Sequence, residues 1–411
     1  MRPLPYKVRL INRILLLGFS LFLLIRCLPA FQKSAIPPAP TMPTHLDSLP
    51  TPSLSPLVPQ VNLALTGTLR PESKIDSTHI LRQKDVFLAQ KIDHLLRIYK
   101  PDYGFFLMVD AETNEILAWG QRSEDSIQAT PSFLSQSTFP AASLIKTATL
   151  AAGFESKRFS LNTPIPLIGS AHTLYRSQLR IPTDYKGNMI ELQDAYAKSC
   201  NPSMALVGYE VGPSSLELAA NKIGYNLDFP NNIPNKSSFS IPDTGYGIAE
   251  AASGFTKSTT LSPLLAAAQV RALLKQKPLE IPTAANIYPY APTTSNPLPN
   301  TSFLENTYFG MKEAMMQTVS NGTAKKNLSS RFIARRYKEQ LDIGGKTGSL
   351  DGLNPAGRYE WFAGFAESRL NRSKGIVIVV MQIHKEIRSQ PATQVAALLI
   401  NYWAQQNLAP N

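Results

Sequence analysis

Residues 342–383 read DIGGKTGSLDGLNPAGRYEWFAGFAESRLNRSKGIVIVVMQI, and this stretch decides the fold. Three runs within it, Asp342–Leu350, Glu360–Ala366 and Gly375–Ile383, have the length and composition of strands, the last being almost wholly β-branched. A helical pattern follows over Thr393–Gln405. Far upstream, Phe105–Val109 and Glu115–Trp119 flank the polar residues Asp110–Asn114 as a hairpin would. The chain between these groups is mostly helical. Ala141–Ala152 follows Pro140, Glu191–Gly208 is interrupted by Pro202, and Ser262–Arg271 and Glu305–Val319 complete the set. Val86–Tyr99 is a further helix, with Phe87, Ile92, Leu95, Leu96 and Tyr99 on its apolar face and His94 on its surface. Residues 160–190 and 276–300 read as loops. Strands on both sides of a helical middle predict an α+β fold: one antiparallel five-stranded sheet, flanked by helices and completed from both ends of the domain.

The first strand of the quoted stretch carries Lys346-Thr-Gly-Ser349 behind Gly344 and Gly345. Small residues weaken a strand unless another backbone must come close, and an extended peptide laid along the edge supplies that reason. Thr347 and Ser349 offer hydroxyls to a carboxylate, Gly348 gives close approach, and Lys346 adds positive charge. Two more polar strings precede it. S-x-x-K occurs once in the chain, as Ser143-Leu-Ile-Lys146. Three residues apart on a helix, the two side chains share a face. A serine hydroxyl needs a base within hydrogen-bond reach, and a lysine embedded among Ala, Leu and Ile has the desolvation that turns an ammonium into one. Ser143 near the helix start also meets the positive end of the dipole. S-x-N occurs as Ser199-Cys-Asn201 and as Ser160-Leu-Asn162; the second lies too close behind Ser143 for the chain to return to the same cleft and reads as a decoy. Ser199 can relay a proton from Lys146 to a leaving amine, and Asn201 can hold a substrate amide. The backbone N–H groups of Ser143 and Ser349 are the candidate oxyanion hole. Cys200 reads as a small buried residue between functional neighbours, because no histidine partner stands out.

The excess of 41 lysines and arginines over 29 acids gives a net charge of +12. No basic run or nucleic-acid motif accompanies it, so a nucleic-acid partner is excluded, and a diffusely basic surface suits anionic envelope polymers. Arg2, Lys7, Arg9 and Arg13 precede the uncharged run Ile14–Ile25. Leu10–Phe31 is long enough to span a bilayer if Arg13 and Arg26 snorkel to its two interfaces. Leu28-Pro-Ala30 is a poor cleavage site, and Ile-Arg before Cys27 does not fit a lipoprotein signal. Residues 1–31 are therefore read as a basic cytoplasmic stub and single-pass anchor, with the remainder exported across the cytoplasmic membrane. Residues 32–84 read as a spacer, with eight prolines in the 23 residues Pro37–Pro59. The catalytic domain is expected over 85–411. Its single cysteine, Cys200, rules out an internal disulfide. No metal or cofactor is called for.

Together, and in this order, the three strings resemble the signature of the penicillin-binding protein transpeptidase domain. Thr260-Leu-Ser-Pro-Leu264, Asn321-Gly-Thr-Ala324, Trp361-Phe-Ala-Gly-Phe365 and the hairpin at 104–119 are similar to segments that accompany that domain, and the resemblance covers roughly 85–410. It implies the β-lactamase/transpeptidase-like fold: an antiparallel sheet, an all-helical subdomain and an active site between them. It further implies that Ser143 attacks D-Ala-D-Ala stem peptides of peptidoglycan, releases D-Ala and passes the acyl group to an amine or to water, and that β-lactams acylate the same serine. A spacer this short cannot hold a glycosyltransferase or a large pedestal, so the resemblance is to a minimal, membrane-tethered periplasmic member, with cell-wall assembly proteins as possible partners. A DD-transpeptidase is expected first, with a DD-carboxypeptidase, a serine β-lactamase and a penicillin-binding sensor or scaffold as alternatives. A β-lactamase would need a deacylating base, for which Glu217-Leu-Ala-Ala-Asn221 is the candidate.

Overall fold

Alternation of side chains along the first hairpin divides the core into two halves. Residues 78–242, 245–328 and 332–408 are described in a computed structural model; the expected anchor, and the spacer as far as residue 77, lie outside the described residues. Helix α1 (Val86–Tyr99) begins at Asp85, whose carboxylate accepts from Leu88 N–H, and ends at Lys100 in the left-handed region. Strand β1 (Tyr103–Asp110) follows. Asp110 Oδ1 accepts from the N–H groups of Glu112 and Thr113, Asn114 supplies the positive φ, and the chain reverses into β2 (Ile116–Ser123). A second reversal, with Glu124 at φ 51°, adds β3 (Ser126–Gln128) along β2.

The helical middle comprises α2 (Lys146–Glu155), α3 (Leu192–Ala197), α4 (Asn201–Val211), α5 (Pro213–Lys222), α6 (Tyr246–Ser253), α7 (Pro263–Lys275) and α8 (Glu305–Ser320). Then come β4 (Leu341–Leu353), β5 (Ala356–Ser368), β6 (Gly375–His384) and the closing helix α9 (Ala392–Asn407). The strand order is β3-β2-β1-β6-β5-β4, antiparallel throughout. The sheet therefore joins both ends of the domain, as expected, but it has six strands rather than five. The added strand is β3, whose three residues are too short to show a period; it exists because β2 runs on to Ser123, past the expected end at Trp119.

Phe105, Leu107 and Val109 face one half of the core; Phe106 and Met108 face the other. The first half packs under α7 and α8, the second under α1 and α9. At the centre, β6 is buried along all ten residues, which explains why GIVIVVMQI shows no alternation of apolar with polar. Helices α2, α4, α5 and α6 form the helical subdomain beside the sheet. Gly208 on α4 sits where a Cβ would meet Ala252 Cβ of α6 at 2.3 Å, so the α4 backbone packs directly against the Ala252 side chain.

Two expected helices differ in ways that matter to the site. Glu191–Gly208 is not one interrupted helix. It is α3 and α4 with a break at Lys198–Cys200, and Pro202 stands in the first turn of α4, where its missing N–H is harmless. The helix expected at Ala141 begins instead as a 3-10 turn over Ala142–Ile145 before becoming α2, while Phe139–Pro140 pairs with Thr260–Leu261.

Candidate active site

In a 3-10 turn the side chains at i and i+3 eclipse. Ser143 and Lys146 stand in that relation, and Lys146 Nζ donates to Ser143 Oγ at 2.7 Å. The same nitrogen donates to Asn201 Oδ1 at 2.7 Å and to the carbonyl of Ser253 at 2.7 Å. Lys146 is fully buried, whereas Ser143 is half-buried and opens to a cleft. Burial, and next the like charge of Lys346, hold the Lys146 ammonium well below its ordinary value. Once the ammonium gives up a proton, the amine keeps two N–H groups and one lone pair. Asn201 Oδ1 and the Ser253 carbonyl can only accept, so they take both N–H groups. The lone pair is left for the one partner that also carries a proton, Ser143 Oγ–H.

Ser199 and Asn201 reach the same place through a helix end. Ser199 has φ 57°, its N–H donates to Tyr196 O and Cys200 N–H donates to Ala195 O. This is a Schellman closure of α3, with serine in the left-handed position usually held by glycine. The closure turns Ser199 Oγ to accept from Lys346 Nζ at 3.0 Å. Asn201 opens α4 and keeps its oxygen on Lys146. Lys346 also donates to Thr347 O and lies 5.5 Å from the centre of the Tyr196 ring. Burial lowers it to about 7. Burial raises the Cys200 thiol, which is then neutral and adds no charge between the two lysines.

This depression has a consequence for stability. Between about pH 7 and the ordinary lysine value the unfolded chain binds the Lys346 proton and the folded chain does not. Stability therefore rises with pH across that window, by at most about 1.4 kcal/mol per pH unit from this group. Urea unfolding at pH 7.5 and 8.5 (about one unit apart, both inside the window) is expected to show a smaller rise in Lys346→Met than in wild type; an equal rise would mean that Lys346 keeps an ordinary pKa.

Strand β4 is the sheet edge beside the nucleophile turn. At Gly348 a Cβ would lie 3.2 Å from Ala141 O and 3.4 Å from Ala142 Cβ, so the backbones leading to Ser143 and Ser349 run side by side. Both residues line a cleft of about 630 Å³, with Ser199, Asn201, Thr347 and Gly348. Thr347 Oγ1 is 2.6 Å from Thr323 Oγ1, and Trp361 Nε1 donates to Pro140 O at 3.0 Å, tying β5 to the turn. Every candidate residue of the three strings is thus brought to one cleft or to the buried layer directly behind it. Ser160 and Asn162 are elsewhere: Ser160 is held by Thr163, and Asn162 accepts from Gln193. Glu217 is exposed on α5 and does not line the cleft. Among the described residues no cluster of His, Cys, Asp and Glu has the make-up of a metal site.

Three contributors carry no signal readable in sequence. The Ser253 acceptor is a backbone carbonyl at the end of α6, which any residue would supply. Arg358, whose Nη2 donates to Ser349 Oγ at 2.9 Å, comes from β5 and belongs to none of the strings. Gly254 follows Ser253 at φ 80°; a Cβ there would lie 2.3 Å from Ala142 O.

The family model described as the penicillin binding protein transpeptidase domain matches residues 104–400. Among solved structures, the transpeptidase domain of the FtsI4 D,D-transpeptidase from Legionella pneumophila is similar at 17% identity, covering 79% of this chain and 96% of that one, with a TM-score of 0.51. PBPA from Mycobacterium tuberculosis is similar at 16% identity, covering 79% of this chain and 80% of that one, with a TM-score of 0.57. The TP domain of Burkholderia pseudomallei penicillin-binding protein 3 is similar at 17% identity, covering 82% and 97%, with a TM-score of 0.57. Identities this low carry the fold alone. No curated protein is significantly similar in sequence.

Proposed function

The chain belongs to the penicillin-binding protein transpeptidase family, and from that premise we propose that it is a peptidoglycan DD-transpeptidase acting through an acyl-enzyme on Ser143. Membership gives a penicillin-binding serine acyltransferase. The observation that carries the reading further is Lys146, a buried amine 2.7 Å from Ser143 Oγ whose two other partners, Asn201 Oδ1 and the Ser253 carbonyl, can only accept. Lys146 takes the Ser143 proton as Oγ bonds to the carbonyl carbon of the penultimate D-Ala. The resulting oxyanion accepts from the backbone N–H groups of Ser143 and Ser349. The proton passes by way of Ser199 to the departing D-Ala amine, and the C–N bond breaks. The Asn201 amide NH2 donates to a substrate carbonyl while its oxygen stays on Lys146. An acceptor amine on a second stem peptide then attacks the Ser143 ester, Lys146 takes the amine proton, and that proton passes to Ser143 Oγ as the ester C–O bond breaks. A β-lactam closes the first half of this sequence without a leaving amine diffusing away, which prolongs the adduct.

The proposal places this domain outside the cytoplasmic membrane, where peptidoglycan lies, on an anchor within residues 1–31. The basic residues Arg2, Lys7, Arg9 and Arg13 before an uncharged run support that orientation. Among the described residues no helix is long and apolar enough to cross a membrane.

Full-length protein incubated with a fluorescent penicillin is expected to hold a covalent adduct on Ser143. With a D-Ala-D-Ala stem peptide and an acceptor amine it is expected to release D-Ala and form the cross-linked amide. Release of D-Ala with no cross-linked product would make it a carboxypeptidase. Rapid penicillin turnover would make it a β-lactamase, for which exposed Glu217 is poorly placed. Absence of any adduct would leave only the scaffold role.

A further inference from the structure

Two buried lysines flank the segment Ser199–Asn201: Lys146 donates to Asn201 Oδ1, and Lys346 donates to Ser199 Oγ. Acylation asks opposite protonation states of them. Lys146 must be a neutral amine to take the Ser143 proton. Lys346 must be an ammonium, because of what it does to Ser199. An ammonium has three protons and no lone pair. It donates to Thr347 O at 2.9 Å and to Ser199 Oγ at 3.0 Å, and Ser199 keeps its own proton free for the leaving amine. A neutral Lys346 would offer a lone pair to that same proton, and the hydrogen bond would run backwards.

A buried cation ordinarily has an anion beside it. Among the described residues no carboxylate pairs with Lys346, and burial lowers it to about 7. Lys146 on α2 repels it whenever both are charged. The Cys200 thiol is held neutral by burial, and Asp194 and Lys198 at the end of α3 hold each other at 2.8 Å. Lys326, Arg358 and Arg388 line the cleft, but they are exposed and screened by water. That leaves Tyr196 on α3. Lys346 Nζ lies over its ring, 5.5 Å from the centre, within the range of a cation–π contact, which is strongest where water is excluded. Tyr196 is fully buried, and its hydroxyl lies 3.0 Å from Thr147 Oγ1, on the residue after Lys146. That bond fixes the ring in place. Burial raises the phenol pKa, so Tyr196 stays neutral and brings no charge of its own.

We propose that Tyr196 is a positioning residue for the reaction: the face of its ring keeps Lys346 an ammonium while Lys146 is the neutral base, and so keeps the Ser199 proton available to the leaving amine. The proposal rests on the acyl-transfer reading of Ser143. The second-order rate of acylation of the full-length protein by a fluorescent penicillin is measured against pH. Wild type is expected to lose rate on an alkaline limb as Lys346 gives up its proton. Tyr196→Leu removes ring and hydroxyl, and its alkaline limb is expected about one pH unit lower. Tyr196→Phe removes the hydroxyl alone, and its limb is expected to stay at the wild-type position. Phenylalanines of rising fluorine content placed at position 196 keep the ring's size but drain its face of negative charge, and the limb is expected to fall step by step. The position of a limb does not depend on how much protein is folded, and the fluorinated series decides the matter even where Tyr196→Leu does not fold. An alkaline limb absent from wild type, a limb that fluorination leaves in place, or a fall in Tyr196→Phe equal to that in Tyr196→Leu overturns the proposal while leaving Ser143 as the nucleophile. A wild-type protein that penicillin does not acylate at any pH overturns the reading of Ser143, and this proposal with it.

Discussion

Ser143→Ala, Lys146→Ala and the double variant are all expected to fall to one common floor of acylation, about 10⁴-fold or more below wild type. Groups that act as a unit are not additive: once either is gone, the other has nothing to do. Without Ser143 there is no nucleophile to hold the acyl group. Without Lys146 the hydroxyl remains but has lost the basic partner held 2.7 Å from Ser143 Oγ. Asn201 Oδ1 and the Ser253 carbonyl accept hydrogen bonds and cannot take up a proton at neutral pH. Lys146→Arg is expected to be as poor as Lys146→Ala, because a guanidinium keeps its proton in any protein environment. Time-resolved labelling with a fluorescent penicillin gives the rates, and far-UV circular dichroism verifies that each variant is folded. A Lys146→Ala rate within tenfold of wild type would mean that another base serves Ser143. A double variant far slower than either single one would mean that the two side chains act independently.

The architecture was readable because its two strongest signals are periodic. A fully buried central strand must be apolar throughout, and β6 is; the first hairpin must turn at Asp110–Asn114, and Asp110 holds that turn with its own carboxylate. The three strings were readable because their chemistry needs particular side chains. What stayed hidden is what side-chain identity does not encode. A 3-10 turn and an α-helix tolerate the same Ala-Ser-Leu-Ile-Lys run, yet only the 3-10 turn eclipses Ser143 with Lys146. The closure at Ser199 lacks the glycine that announces such closures, since glycine there would remove the hydroxyl that meets Lys346. Strand β3 is three residues long and owes its pairing to the overhang of β2 rather than to its own pattern. Arg358 reaches the site only through the register of β4 with β5, a fact of pairing and not of spacing.

Gly254→Ala is expected both to destabilise the protein by about 2–5 kcal/mol and to slow acylation about 100-fold, although Gly254 carries no side chain and no reacting atom. Two separate penalties meet at this residue. Its φ of 80° is left-handed, where an alanine costs about 1–2 kcal/mol. The added Cβ would lie 2.3 Å from Ala142 O, 2.6 Å from Ala142 C and 3.0 Å from Ser143 N. These are backbone atoms, so no flexible side chain can move aside, and relief must come from shifting the turn itself. That turn has little freedom: Ala142 is already at φ 49°, a conformation alanine resists, and Gly348 presses on its other side. Moving Ala142 carries Ser143 away from Lys146, and a displacement near 1 Å at a reacting centre costs about 100-fold. Gly212→Ala separates the two penalties. Gly212 also has φ 80°, but a Cβ there would meet nothing within 4 Å, and it lies between α4 and α5, outside the cleft. It is expected to lower stability by about 1–3 kcal/mol through backbone strain alone while acylation proceeds at the wild-type rate. Urea unfolding and penicillin labelling of both variants decide the matter. If Gly254→Ala and Gly212→Ala lose stability alike and both acylate normally, the contact between Gly254 and the Ala142 carbonyl does not position Ser143, and the left-handed alanine before the nucleophile is a packing accident.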